Sequence, residues 1–215
     1  MLLAEDVLLL LTDDQTGKFV GRYPDLVVAG ALLSDLALAG NVRVTESGES
    51  VRKNRVVTVP DAPWPVDPLL AEALEMIGRK ERRFTSNVVD KISYALKPPK
   101  AVYERLAQAE MLSRVTHRAL GLIPRTRWVS LDARHENALL AQLDEVFLFD
   151  AEPDPHTAAL AALLAASGAL VTALDRGRKL DRAKLKRRGK HFLSQYWPAQ
   201  ATERSIQNRD AAAAG

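Results

Sequence analysis

The sequence predicts an all-α protein carrying short β-hairpins on its surface. Three observations support this. Apolar residues recur at helical spacing through most of the 215 residues. Proline, aspartate and glycine stand where helices start and stop. The period changes to strict alternation in only two places, near Asn41 and near Met111, each time just after a helix.

The elements follow in order. Leu2 to Leu11 reads as an apolar opening helix, with Glu5 and Asp6 in the first turn complementing its dipole. Asp13 to Gly17 is turn chemistry, and Lys18 to Tyr23 is an exposed linker with room for a brief strand. The central helix lies between Pro24 and Gly40: Pro24 suits its first turn and Gly40 the position just past its end. Its residues are apolar nearly all round, which marks a buried helix, too short and interrupted for a membrane span. Residues 41–59 form a hairpin around Ser47-Gly48-Glu49-Ser50.

Asp67 caps a helix from Pro68 to about Lys80, and Thr85 or Ser86 caps the next. Pro98-Pro99 opens a helix to about Met111, and a second hairpin follows, broken by Gly121 and Pro124 and closed by Trp128 to Leu131. Asp132 caps a helix to about Phe149. Asp154-Pro155 begins one Ala-rich helix to about Leu174, read as buried rather than membrane-spanning. Residues 176–190 are a further helix, and the polar, Ala-rich residues 198–215 are expected to fray as a flexible tail. Residues 1–197 then make a single domain.

Hydrophobic residues at 47% and charged residues at 27% are ordinary globular values, and the chain is long enough to bury a core unaided. Cysteine is absent, which excludes disulfides and thiolate chemistry and fits a reducing cytoplasm. The opening Met1 to Asp6 lacks the basic start and cleavage site of a signal peptide, so a cytoplasmic chain is expected. Heavy use of Ala and Arg suggests a GC-rich bacterial genome. The net charge of +3 is local in origin: residues 176–190 hold nine Lys and Arg against one acid, Asp181. That segment has three readings: a solvated helix, attraction to a membrane surface, or nucleic acid.

Catalytic templates are absent: no phosphate loop, G-x-G-x-x-G, nucleophile elbow or H-E-x-x-H occurs. His117, His135, His156 and His191 stand far apart without a carboxylate at ligand spacing, and read as surface or capping residues. The expectation is a protein that is not an enzyme and needs no cofactor or metal. The second hairpin is more specific. Arg114, His117, Arg118, Arg125 and Arg127 surround Leu120, Leu122, Ile123 and Trp128. Apolar residues ringed by arginine suit a membrane interface, or equally a contact with a neighbouring helix or subunit.

Leu3 to Leu10, followed by Leu32 to Val42, is similar to the opening of the Golgi phosphoprotein 3 (GPP34-type) family. Val102 to Leu106, then Met111-Leu112 and the hairpin after them, resemble that family's middle, so the likeness runs from Leu2 to about Leu174. The resemblance implies a helical bundle ringed by amphipathic helices, without enzymatic activity. It implies binding of phosphatidylinositol 4-phosphate on a flat basic face, with a hydrophobic hairpin dipping into the bilayer. Eukaryotic members also hold glycosyltransferase tails and recruit coat proteins.

Position by position, the family's tryptophan before the central helix corresponds to Val20, and an arginine early in that helix to Ala29. Two arginines at the start of the middle helix correspond to Lys100 and Tyr103. Lys100 keeps the charge, and Arg105, Lys18 and Arg22 are the candidates to complete a headgroup site. The expected function is a peripheral membrane protein that binds anionic phospholipid, phosphatidylinositol 4-phosphate among the candidates. Protein clients and a homo-oligomer remain open as partners. The alternatives are a winged-helix-like DNA binder, for which the central helix is too apolar, and an oligomerising adaptor.

Overall fold

The computed structural model describes residues 1–14, 16–79, 83–119 and 123–215. Among the described residues it contains ten helices and two small antiparallel sheets. The central helix α2 (Pro24–Leu38) packs against α1 (Leu3–Leu10), α3 (Pro68–Gly78), α4 (Thr85–Leu96), α5 (Pro98–Gln108), α7 (Pro155–Ala166) and α10 (Trp197–Ala214). Leu26 to Leu33 of α2 are buried without a gap, as its all-round apolar sequence requires. The remaining helices are α6 (Arg134–Leu148), α8 (Leu170–Asp175) and α9 (Arg182–Gln195).

The first sheet joins β1 (Val42–Val44) to β2 (Arg55–Thr58), with Arg43 opposite Val57. A third strand, β3 (Arg83–Phe84), adds to β2, with Arg55 opposite Phe84 and its guanidinium 3.4 Å from the centre of the Phe84 ring. Two residues carry too little alternation to be read as a strand from sequence. The second sheet is the hairpin β4 (Leu112–Ala119) and β5 (Ile123–Ser130), with Leu112 opposite Ser130 and Ala119 opposite Ile123.

Several boundaries differ from the sequence reading, each for a local reason. Thr85 is the first residue of α4 and not its cap, because β3 runs directly into the helix. Helix α5 stops at Gln108: Glu110 takes a positive φ of 57° and the Met111 N–H returns to the Leu106 carbonyl. The cap position of α6 is Ala133 and not Asp132, which stands one residue earlier and accepts from the Arg134 N–H at 2.9 Å. The Ala-rich helix is two helices, α7 and α8, parted at Gly168 with φ +72°. Residues 176–180 form a turn, and α9 starts only where Asp181 accepts from the Ala183 and Lys184 N–H groups.

The expected flexible tail is the clearest correction. Residues 198–214 lie in helix α10, whose Ala199, Ala201, Thr202, Ser205 and Ile206 are buried. This buried face is built from small residues that a hydropathy reading takes as neutral. At its centre the helix backbones meet closely: a Cβ on Gly30 of α2 would stand 1.8 Å from Thr202 Oγ1 and 2.9 Å from Thr202 Cβ.

Helix α1 is fastened by charge as well as by leucine. Asp35 of α2 accepts the Leu3 and Ala4 N–H groups at 2.8 and 3.3 Å, so a neighbouring helix caps α1. Glu5 pairs with Arg105 of α5 at 2.8 Å. Asp6, almost fully buried, binds His135 Nε2 of α6 with one oxygen at 2.7 Å and His156 Nε2 of α7 with the other at 2.6 Å. The two histidines are therefore tertiary fasteners and not the surface or capping residues expected. The bond to Asp6 raises the pKa of His156, and burial pushes the Asp35 carboxyl up to about 7.

Two predictions follow from this packing. Gly30→Ala removes helix-weakening glycine but forces α2 and α10 apart, and overpacking of this kind costs about 1–3 kcal/mol. Urea denaturation should show that loss, with part of it recovered in Gly30→Ala/Thr202→Ala; a neutral or stabilising single substitution would contradict the close approach. The second concerns pH. His156 is bound more tightly when protonated, so its contribution is complete below the ordinary value of 6.5 and disappears as pH rises through the raised folded value. Asp35 acts in the same direction between 3.8 and about 7, because the native state keeps a proton that the unfolded chain has released. Stability should fall as pH rises above 6.5, and His156→Gln should flatten that slope; parallel pH profiles for the two chains would refute the assignment.

Candidate functional site

Helix α5 begins at a left-handed Lys97, with φ +46°, followed by Pro98 and Pro99 in its first turn. Val102 and Leu106 turn into the core, while Lys100 and Glu104 face outward. Lys100 Nζ lies 3.9 Å from Glu104, a long contact between exposed partners, so the ammonium remains available to a ligand.

Tyr103 occupies the space between these two faces. Its ring stacks on Trp128 of β5 with centroids 4.8 Å apart and planes 2° from parallel. Its hydroxyl lies 2.9 Å from Thr12 Oγ1, whose own proton goes to the Leu8 carbonyl at 2.6 Å, so Tyr103 is the donor. Burial raises the Tyr103 pKa and keeps that donor in place.

The loop after α1 closes on the same stack. Gly17, at φ +61°, has no room for a Cβ, which would stand 2.6 Å from the Trp128 carbonyl and 2.9 Å from Arg127 Cβ. A single bridge between Thr12 and Phe19 holds the loop, in place of the brief strand allowed for. Lys18 follows Gly17 and is exposed, as is Arg127 across the contact. Lys18, Arg127 and Lys100 thus extend from three segments that meet at Tyr103, Trp128 and Gly17.

The remaining sequence candidates behave differently. Arg22, exposed, pairs with Asp210 of α10 at 2.6 Å. It stands beside Tyr23, over whose ring Arg209 lies while bonding Asp25 at 2.6 Å. Arg105 is not open to a ligand: Glu5 at 2.8 Å and Asp67 at 2.6 Å hold its guanidinium from both sides. Trp128 is a packing residue at the base of the hairpin rather than a free anchor. Leu120 and Leu122 lie outside the described residues, as do the side chains of Arg118, Ile123 and Arg125. Of the positions matched to the family's headgroup site, Ala29 is fully buried, Val20 is half-buried and Tyr103 is in the stack. Lys100 is the exposed cation of the four.

The basic segment 176–190 divides in two. Arg176 pairs with Glu136, Arg178 with Asp144, Arg182 with Asp175, and Lys184 and Arg188 with Asp150. Sequence spacing hides these partners because each except Asp175 stands at least 34 positions away in the chain. Lys179 before α9, and Lys186, Arg187 and Lys190 on it, extend into solvent.

The double pairing of Arg105 makes a prediction. Arg105→Gln strands the carboxylate of Glu5, which is nearly buried, and should lower stability by about 1–3 kcal/mol in urea denaturation. An unchanged midpoint would show that the guanidinium is not the fastener described.

Among the described residues no helix is long and apolar enough to cross a membrane. No curated protein matches the chain. The family model for Golgi phosphoprotein 3 (GPP34) matches residues 3–209, from the first residue of α1 to the last turns of α10. The chain belongs to the Golgi phosphoprotein 3 (GPP34) family.

Proposed function

We propose that this chain is a non-enzymatic, peripheral membrane protein that binds anionic phospholipid through Lys18, Lys100 and Arg127, with Arg22 adding charge at the start of α2. The β4–β5 hairpin is the anchoring element. The observation that supports this reading is the junction at Tyr103, Trp128 and Gly17, where three segments that each carry an exposed cation meet, in a chain of this family. Helix α5 argues against entry into a DNA groove, since Arg105 is bound by two carboxylates and Lys100 stands beside Glu104.

The chemistry favours general attraction to anionic headgroups over selection of the 4-phosphate. A guanidinium clamp reads phosphate with two aligned donors, whereas lysine acts as a point charge. Each Lys or Arg near an anionic surface contributes about 1 kcal/mol, so three together supply about 3 kcal/mol, roughly a hundredfold in binding.

Sedimentation with vesicles tests this. The chain should pellet with phosphatidylserine or phosphatidylglycerol vesicles, stay in solution with phosphatidylcholine, and release as salt is raised. Lys18→Glu/Lys100→Glu/Arg127→Glu should lose most of that binding without loss of fold. Replacing part of the anionic lipid by phosphatidylinositol 4-phosphate at constant surface charge should add little. Equal recovery in the supernatant with all vesicles would refute the proposal.

A further inference from the structure

A second surface, independent of the lipid reading, lies between α9 and α10. It is a groove of about 1080 Å³, bounded by these helices, by α8 and by the start of α4. Its floor is apolar, from Leu170, Leu193 and Trp197. Three cations line it: Lys186 and Lys190 from α9, one helical turn apart, and Arg204 from α10. All three are exposed, and among the described residues no ion pair or side-chain hydrogen bond holds any of them. The acidic lining is one residue, Glu203. Elsewhere in this segment the fold supplies a carboxylate for Arg176, Arg178, Arg182, Lys184 and Arg188. Like charges one turn apart repel on a helix, so the groove holds a positive charge that the fold leaves uncompensated.

We propose that this groove is a docking site for an acidic, amphipathic peptide segment of a partner protein. Carboxylates would meet Lys186, Lys190 and Arg204, and apolar side chains of the same segment would rest on Leu170, Leu193 and Trp197. Amides at the rim, from Asn54, Asn87 and Gln207, match a peptide backbone better than they match a hydrocarbon chain. A bilayer is flat and does not fill a concavity of this kind. The groove lies away from Lys100: the first turn of α4 lines it, while the last turn of that 12-residue helix leads through Lys97 to Lys100. That separation is about 18 Å along the helix axis, so one chain has room for both ligands.

Fluorescence anisotropy with the full chain tests the proposal. The probe is a labelled peptide of Glu and Leu at three- and four-residue spacing, and the control replaces every Glu by Gln. The Glu peptide should bind saturably and weaken with salt, and the Gln peptide should bind at least tenfold less tightly. Lys186→Glu/Lys190→Glu should abolish binding, and Lys186→Gln/Lys190→Gln should reduce it severalfold while leaving the melting temperature unchanged. Lys18→Glu/Lys100→Glu/Arg127→Glu should bind the peptide normally, which separates this site from the lipid-binding one. Absence of binding at millimolar peptide, equal affinity for both peptides, or no effect of the Lys186 and Lys190 substitutions would overturn it. So would loss of vesicle pelleting by Lys186→Glu/Lys190→Glu without loss of peptide binding, which would make this face a bilayer contact.

Discussion

Two adjacent carboxylates in the first turn of α1 fix the relation of most of the bundle. Glu5 reaches Arg105 on α5, and Asp6 reaches His135 on α6 and His156 on α7. Asp35 on α2 completes the set by accepting the first N–H groups of α1. Charges this deeply placed are costly alone, and the fold tolerates them because each has at least one hydrogen-bonding partner of definite geometry. Leucine burial brings the helices together, but it is non-directional. The polar contacts select which face of α1 meets which neighbour.

The same helix sets up the surface junction. Thr12, two residues past its end, bonds Tyr103, and the loop that follows presses Gly17 against β5 at Trp128. Lys18, Lys100 and Arg127 are exposed residues of the segments that this packing joins. Because α5 supplies both Tyr103 and Arg105, the end of α5 that carries Lys100 stays open while the other is locked into the protein. A residue's availability is decided by its neighbours, which explains why Lys100 is exposed while Arg105, five positions on, is held by two carboxylates.

Charge is partitioned in the same way at the other end of the chain. The basic segment looks uniform as a string of Lys and Arg, yet five of its members are neutralised by carboxylates on α6, α8 and the loop after α6. Helix α9 packs closely on α8, where a Cβ on Gly189 would meet Leu170 at 2.3 Å, and Lys186 and Lys190 of the same helix line the groove that α10 shares. Without α10 there would be no second wall and no groove. Its small-residue face lets it approach α2, and its exposed Arg204 and Gln207 line the opening.

The sequence by itself determined the helical class, the central buried helix and both hairpins, together with the caps at Asp67 and Asp154. These are local properties, set by periodicity, by proline and by a side chain reaching its own helix start. It also carried the family likeness and singled out Lys18 and Lys100. Tertiary structure alone decided that Arg105 is a fastener, that Trp128 stacks on Tyr103, that His135 and His156 share one carboxylate, and that residues 198–214 are a packed helix. Each of these depends on a partner dozens of positions away, or on a buried face of alanine, threonine and serine. Neither leaves a periodic signal, because a charge looks the same in sequence whether it meets water or a carboxylate.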